Sequence, residues 1–379
     1  MARRVLFPFV GETVGGSHVS ALSLARTLDP GRFEPVVSQH VDGLLSDYLD
    51  LLGLPAMPAP DVALPRLRPV WRQPFTVLRL LNGLSAFLRK HRIDIVHSHD
   101  LRMHVAWGLA ARGAGIPHVW HQRTPSPSPV THRFSRHSAV VLTVSEYCRS
   151  KLPGAMARRA EIVPNPVELD GAIGRDRARA TLSARLGQRG EDGIVGFVSN
   201  LADRKRPELF VEVAARLVEA MPGADLAFPM IGAGDTEVRR RVEARIRDLG
   251  LGDRVQLLGP CFPVAPLIEG MDLLIAPARH EAFGRTLVEA MLAGTPVVAS
   301  DDGGHSDIVD EGRTGRLVPP DDGAAMAHAA GALLSDAAMR SGIRARAREE
   351  AERRFSPQAH TARVSEIYDR VTAGASGGV

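Results

Sequence analysis

Short apolar runs alternate with longer stretches of helical spacing along almost the whole chain. VLFPFV, PVVSQ, DIVHSH, HVWHQR, AVVLTVS and EIVPNP read as six short strands between Val5 and Pro166. Helical patterns such as VSALSLARTL and VAWGLAARGAG separate most of them. After Pro166 the alternation restarts with GIVGFVSN, DLAFPMIG, RVQLLG, DLLIAPA, PVVAS and GRLVPP, again with helices between. Strands joined through helices imply parallel sheets with right-handed crossovers. Two such sets predict an α/β chain of two doubly wound domains. Pro164-Asn165-Pro166, followed by the polar Glu168-Leu169-Asp170-Gly171, marks the boundary between them. The helical patterns AAMAHAAGALLS, AAMRSGIRARAREEAERRF and PQAHTARVSEIYDRV follow the last strand, and TAGASGGV has the composition of a tail.

In open parallel sheets, ligands sit beyond the carboxyl ends of the strands, so the loops there carry the chemistry. The most informative lies in Ala278–Ser300, ARHEAFGRTLVEAMLAGTPVVAS. Arg285–Ala293 has helical spacing, and Gly294 stands where a helix would end. Glu281 then falls in the loop before the helix and Glu289 about a turn inside it. First-turn amides near Phe283, Gly284, Arg285, Thr286 and Leu287 lack partners within the helix and carry the positive end of its dipole. A phosphate suits those amides, and a carboxylate on each side suits hydroxyls flanking it. The same residues also fit a helix with one exposed and one capping glutamate.

Four further loops bear on the site. GETVGGS, Gly11–Ser17, places Gly15 and Gly16 ahead of the first helix, where backbone approaches a phosphate closely; a flexible loop with a capping serine reads equally well. His121 ends the strand HVWHQR, a place for a sugar-binding ring or for a structural histidine. SNLADRKR, Ser199–Arg206, sets Asn200, Arg204, Lys205 and Arg206 just before Pro207, a favoured first helical residue. Cations beside amide donors outline a phosphate site, although a solvated charge cluster has the same appearance. Lysine is rare here, with 3 against 44 arginines, so Lys205 departs from the background. IGAGDTE, Ile231–Glu237, lacks the third glycine of a dinucleotide fingerprint and reads as a tight turn, which disfavours a dehydrogenase.

Composition narrows the classes. The 379 residues are 44% apolar and 24% charged, as in ordinary globular proteins. No apolar run approaches the ~18–20 residues that span a bilayer. Cys148 and Cys261 stand apart with no metal or disulfide spacing, and the reading is cytoplasmic. Residues 1–170 hold 20 Arg and Lys against 13 Asp and Glu, while residues 171–379 hold 27 against 30. The first half is therefore the side facing an anionic partner, either acidic substrate or membrane surface.

Together these loops resemble the retaining glycosyltransferases of the GT-B class, family 4. FVSNLADRKRPELFVEVAARL, MIGAGD, GLGDRVQLLG, DLLIAPARHEAFGRTLVEAMLAGTPVVAS and GGHSDIVDEGRTGRLVPPDD carry the resemblance most strongly, between Gly196 and Asp322. Glu281 and Glu289 fill the family's E-x7-E pattern, Lys205 its phosphate lysine, Gly15-Gly16 its glycine pair, and His121 its histidine near the donor sugar. VSEYCRSKL and VPNPVELD match as well.

The resemblance implies a GT-B fold, two Rossmann-like domains facing across a cleft. Residues 1–168 would form the acceptor side, residues 169–355 the nucleotide-sugar side, and a helix over 356–373 would cross back to the first domain. It implies that Glu281 bonds the donor hexose and Glu289 the ribose, while Lys205 and amides near Gly284–Leu287 and Gly16 hold the diphosphate. The base would lie by Cys261-Phe262-Pro263. Two departures stand out: Asn200 replaces a common arginine, for which Arg204 or Arg206 would substitute, and Gly303-Gly304-His305-Ser306-Asp307 replaces GG-x-P-E.

The expected activity is metal-independent transfer of a hexose, with retention, from a UDP-sugar, or next a GDP-sugar, to a hydroxyl. The acceptor would be a small molecule, a glycan or a lipid-linked group. No cofactor, no metal and no nucleic acid are expected. A sugar-nucleotide 2-epimerase and a non-catalytic nucleotide-sugar-binding partner share this architecture. Finally, residues 65–92 mix eight cations (counting His91) with Trp71, Phe75, Leu78, Leu81, Leu84, Phe87 and Leu88. Such a basic amphipathic segment suits peripheral contact with the inner face of a membrane, or simply packing on its own sheet.

Overall fold

The computed structural model describes residues 2–60, 74–125 and 133–376. Contacts divide the chain into two compact units, Met1–Pro166 with Pro357–Val379, and Val167–Ser356.

The first unit carries a seven-stranded, wholly parallel sheet. Its strands are β1 (Arg3–Phe9), β2 (Phe33–Gln39), β3 (Ala56–Pro58), β4 (Ile95–Ser98), β5 (His118–Gln122), β6 (Val140–Thr143) and β7 (Ala160–Ile162), in the order β3-β2-β1-β4-β5-β6-β7. The hydrophobic pattern missed β3, a short edge strand with one half-buried residue between two exposed ones, because it has too little apolar sequence to register. The central strands are buried along nearly all their length, polar His97 and Ser98 of β4 included, because both faces are covered by helices. Helix Pro357–Ser376 belongs to this unit. Its Val364, Ile367 and Tyr368 join a core built on Val5, Phe7, Leu22 and Phe33. Tyr368 is fully buried, and its ring meets that of Phe33 edge-on at 5.3 Å.

The second unit has a six-stranded parallel sheet: β8 (Gly193–Val198), β9 (Leu226–Ile231), β10 (Val255–Gly259), β11 (Leu273–Ala276), β12 (Val297–Ser300) and β13 (Arg316–Val318). Their order is β10-β9-β8-β11-β12-β13. In each sheet the winding reverses once, between β1 and β4 and between β8 and β11. A reversal leaves adjacent strand-end loops leading to opposite faces of the sheet, which opens a crevice for ligand.

Of the basic amphipathic segment, residues 65–73, including Trp71, lie outside the described residues. Its remainder forms helix Pro74–Lys90, with Leu80, Leu84, Phe87 and Leu88 buried against Val96 and Trp107, and Phe75 and Leu78 exposed. No helix among the described residues is long and apolar enough to cross a membrane.

Candidate functional site

In the second unit the loops after β8 and β11, on either side of the reversal, are bonded together. The Arg279 amide donates to the Arg204 carbonyl at 2.7 Å. Asp203–Lys205 form one 3-10 turn, and Pro207 opens helix Pro207–Ala220 as its first residue. Lys205 Nζ lies 2.5 Å and Arg204 Nη1 2.7 Å from one oxygen of Glu281, whose side chain keeps 11% of its exposure. Burial by itself would raise the Glu281 carboxyl; Lys205 and Arg204 outweigh it and hold the group below its usual range.

Two further loops fix this arrangement. Gly303 adopts φ 65°, and a Cβ there would stand 2.4 Å from the Glu281 carbonyl oxygen. The Gly304 amide donates to that same carbonyl at 2.8 Å. Any side chain at Gly303 would therefore push the Glu281 backbone away from Lys205. Behind it, His305 is buried, its Nδ1 3.2 Å from the Ser300 carbonyl, and burial lowers it to about 4. After β9, Gly232 adopts φ 146° because its backbone runs against Ser199, where a Cβ would lie 2.0 Å from the carbonyl oxygen. IGAGD is the tight turn read from the sequence, and it braces the loop that leads to Lys205.

Helix Arg285–Ala293 follows Gly284, which is left-handed at φ 107°, and ends at Gly294, φ 70°. Its first turn contains Arg285 and Thr286, both partly exposed. Phe283 and Leu287 are buried, Phe283 edge-on to Phe355 at 5.7 Å, and the Leu287 amide, expected to be without a partner, donates to the Gly284 carbonyl at 3.0 Å. Glu289 lies on this helix 3.8 Å from Arg285; burial raises its carboxyl and Arg285 opposes that shift. Asn200 is exposed in the loop before Lys205. Of the two arginines flanking Lys205, Arg204 joins it on Glu281, whereas Arg206 turns to Asp321 at 2.7 Å.

Sequence reasoning missed the outer ring of this cluster. Arg279 pairs with Asp321 at 2.8 Å, and the His280 amide donates to Asp302 at 3.0 Å. His280 is left-handed at φ 53°, an uncommon state for a non-glycine residue, which aims its loop toward Asp302. No spacing rule joins residues so far apart in sequence.

The first unit presents a different chemistry at its own reversal. Gly15 and Gly16 are exposed at the start of helix Gly16–Thr27, where the Gly15 amide donates to His18 Nδ1 at 3.2 Å. His121 is fully buried. Its Nδ1 is 3.3 Å from His97 Nε2, and His97 Nδ1 is 2.6 Å from the Tyr368 hydroxyl. His360, from helix Pro357–Ser376, stacks on His121 at 6.0 Å and bonds the Pro164 carbonyl through Nδ1 at 2.7 Å. Burial, with Arg123 adding repulsion, holds His97, His99 and His121 well below the ordinary imidazole range, and His360 at about 3. His97, His99 and His121 each bring a ring nitrogen within 4.8 Å of the others, close enough to suggest a metal centre. The guanidinium of Arg123, donating to His99 Nδ1 at 3.1 Å, sets a fixed cation against that site and leaves the His99 proton on Nε2. The cluster is a hydrogen-bonded network of neutral rings.

Comparison with known proteins agrees with this architecture. The family described as Glycosyltransferase Family 4 matches residues 14–170, and Glycosyl transferases group 1 matches residues 192–336. The chain belongs to the family 4 glycosyltransferases, with the GT-B fold of two helix-flanked parallel sheets. Among its relatives is the 2-deoxystreptamine glucosyltransferase of Streptomyces kanamyceticus, 33% identical over 66% of this chain and 70% of that one. The 2-deoxystreptamine N-acetyl-D-glucosaminyltransferase of Streptomyces fradiae is 29% identical over 87% and 85%. The D-inositol 3-phosphate glycosyltransferase of Nocardia farcinica is 32% identical over 64% of this chain, and the match spans 59% of that relative's length. A structure of Anabaena HepE in complex with UDP and glucose superposes with a TM-score of 0.80 at 22% identity, covering 97% of this chain and all of that one.

Proposed function

We propose that this chain transfers a hexose from a nucleoside-diphosphate sugar, UDP-sugar before GDP-sugar, to a hydroxyl group, with retention and without a divalent ion. The observation that carries the reading is the grouping of Arg204 and Lys205 on the partly enclosed carboxylate of Glu281, beside the N-terminus of helix Arg285–Ala293. Without ligand, Glu281 offsets one of the two positive charges. A bound diphosphate gives them a second anion, with helix amides on its other side, and frees the carboxylate to accept from sugar hydroxyls. Glu289 faces the ribose hydroxyls in the same reading.

The bond that breaks joins the anomeric carbon to the phosphate oxygen, and its electron pair stays on the leaving diphosphate. Lys205, Arg204 and the helix amides are already oriented to meet that charge, so little reorganisation is needed as it develops. The acceptor oxygen adds on the face the diphosphate leaves, and its proton passes to the departing phosphate oxygen. His121 is fully buried within the first unit, so the part open to it in this reading is through its backbone rather than its ring. The names of the relatives favour a cyclitol acceptor, since inositol and 2-deoxystreptamine are both hydroxylated six-membered carbocycles.

A thermal-shift panel of UDP-, GDP- and ADP-sugars, followed by product analysis with and without inositol 3-phosphate or 2-deoxystreptamine, tests the proposal. Stabilisation by one nucleotide series and a glycosylated cyclitol in EDTA support it. Epimerised or free sugar formed at full rate with no acceptor would overturn it.

A further inference from the structure

At the opposite ends of the second unit's strands, two helices each bring an arginine pair spaced i, i+4 into one cluster, three of the four arginines acting on a single carboxylate. Helix Arg175–Arg185 supplies Arg175 and Arg179, and helix Ala337–Phe355 supplies Arg340 and Arg344. Asp272, the residue before β11, accepts from Arg175 Nη2 at 2.8 Å, from Arg179 Nη1, and from the Ile194 amide at 2.9 Å. Arg175 also bonds the carbonyls of Glu269 and Met271, and Arg340 those of Leu333 and Leu334. The Glu269 carboxylate is taken by the Ile173 amide at 2.8 Å, and Asp176 acts on Arg175.

Arg344 is left over. Its Nε and Nη2 are removed from solvent and have no acceptor. Arg175 and Arg340 repel its charge, and Asp272, already holding three donors, is the carboxylate that offsets them. A half-enclosed guanidinium with two unanswered N–H groups beside two others is an unfavourable arrangement unless a mobile acceptor completes it. Guanidinium groups present paired donors that match the oxygens of a phosphate.

We propose that Arg344, with Arg340 and Arg175, binds a phosphate group at the N-terminal edge of this sheet, away from the Lys205–Glu281 cluster. The site is independent of the proposed transfer reaction. Inorganic phosphate is the probe, titrated against sodium chloride at matched ionic strength with the melting temperature as readout. Glycerol 3-phosphate run in parallel separates a site open to a phosphomonoester from one that closes on the free ion. Wild type should be stabilised by phosphate beyond chloride, and Lys205→Ala, which weakens any phosphate at the other cluster, should keep that increment. Arg344→Met should weaken the apparent phosphate affinity about tenfold, the loss of one charge-assisted contact, while melting in chloride no lower than wild type. Arg344→Gln replaces it should the methionine variant not fold. An equal phosphate increment in the Arg344 variant, or none in wild type, would overturn the site and assign those N–H groups to water.

Discussion

Where the winding reverses in the first sheet, the side chains are rings held neutral; where it reverses in the second, they are full charges held in pairs. Seven histidines of the first unit (His40, His97, His99, His104, His118, His121 and His360) are lowered by burial. The neutral imidazoles bond one another and Ser98, whose hydroxyl lies 2.7 Å from both His104 Nδ1 and His118 Nε2, while Nε2 of His99, His104, His121 and His360 is buried without a partner. In the second unit, Lys205 and Arg204 both bond one oxygen of the Glu281 carboxylate. Burial removes charge from a group that can lose it, whereas cations with a carboxylate partner are retained. One edge is thus built for shape and polarity, the other for meeting an anion.

The contrast is most exposed to acid. A histidine whose folded pKa lies below its unfolded value of about 6.5 contributes stability that is complete above pH 6.5 and lost as pH falls toward the folded value. With His118 and His360 at about 3, each should cost roughly 2 kcal/mol between pH 6.5 and 5. In the second unit His305, at about 4, is the comparable group, while Glu281, lowered, loses its contribution only below the ordinary carboxylate range. Hydrogen exchange at pH 7.5 and 5 should show β4, β5 and helix Pro357–Ser376 losing protection before β11 and β12. Simultaneous loss in both units would dissolve the distinction.

Breaking the charged edge comes next. Lys205→Ala should raise the transfer barrier by ~2.7–4 kcal/mol, the scale for losing one fixed donor to a developing oxyanion. Turnover with an unchanged far-UV spectrum is the measurement, and undiminished turnover would remove Lys205 from the reaction. Tyr368→Phe probes the neutral edge. Loss of its hydroxyl strands His97 Nδ1 and should cost about 1–3 kcal/mol in urea unfolding. The smallest effect is expected for Arg206→Ala, which breaks a half-exposed pair with Asp321 worth about 1 kcal/mol or less. Arg204→Ala should lower turnover far more than Arg206→Ala; equal effects would show that direct contact with Glu281 is not what matters.

The charged edge was largely legible in the sequence because its parts lie in strand-end loops with local signals. Pro207 at a helix start, Gly294 at a helix end and Glu281 one loop ahead all follow from rules that span a few residues. The histidine network was not legible. HSH and HVWHQ look like two strand ends, and nothing in their spacing brings His360 from a helix more than 200 positions further on. Even β3 escaped, since three residues at a sheet edge carry little hydrophobic pattern.

The alternation of apolar runs and helices determined by itself that this chain makes two parallel α/β sheets, because burying both faces of a strand leaves its mark on every residue in it. Which loops meet, that Arg204 rather than Arg206 joins Lys205 on Glu281, and that Arg344 Nε and Nη2 are left without an acceptor were decided only by the tertiary structure. Those outcomes depend on strand order and side-chain direction across long sequence separations, and a linear pattern carries no record of either.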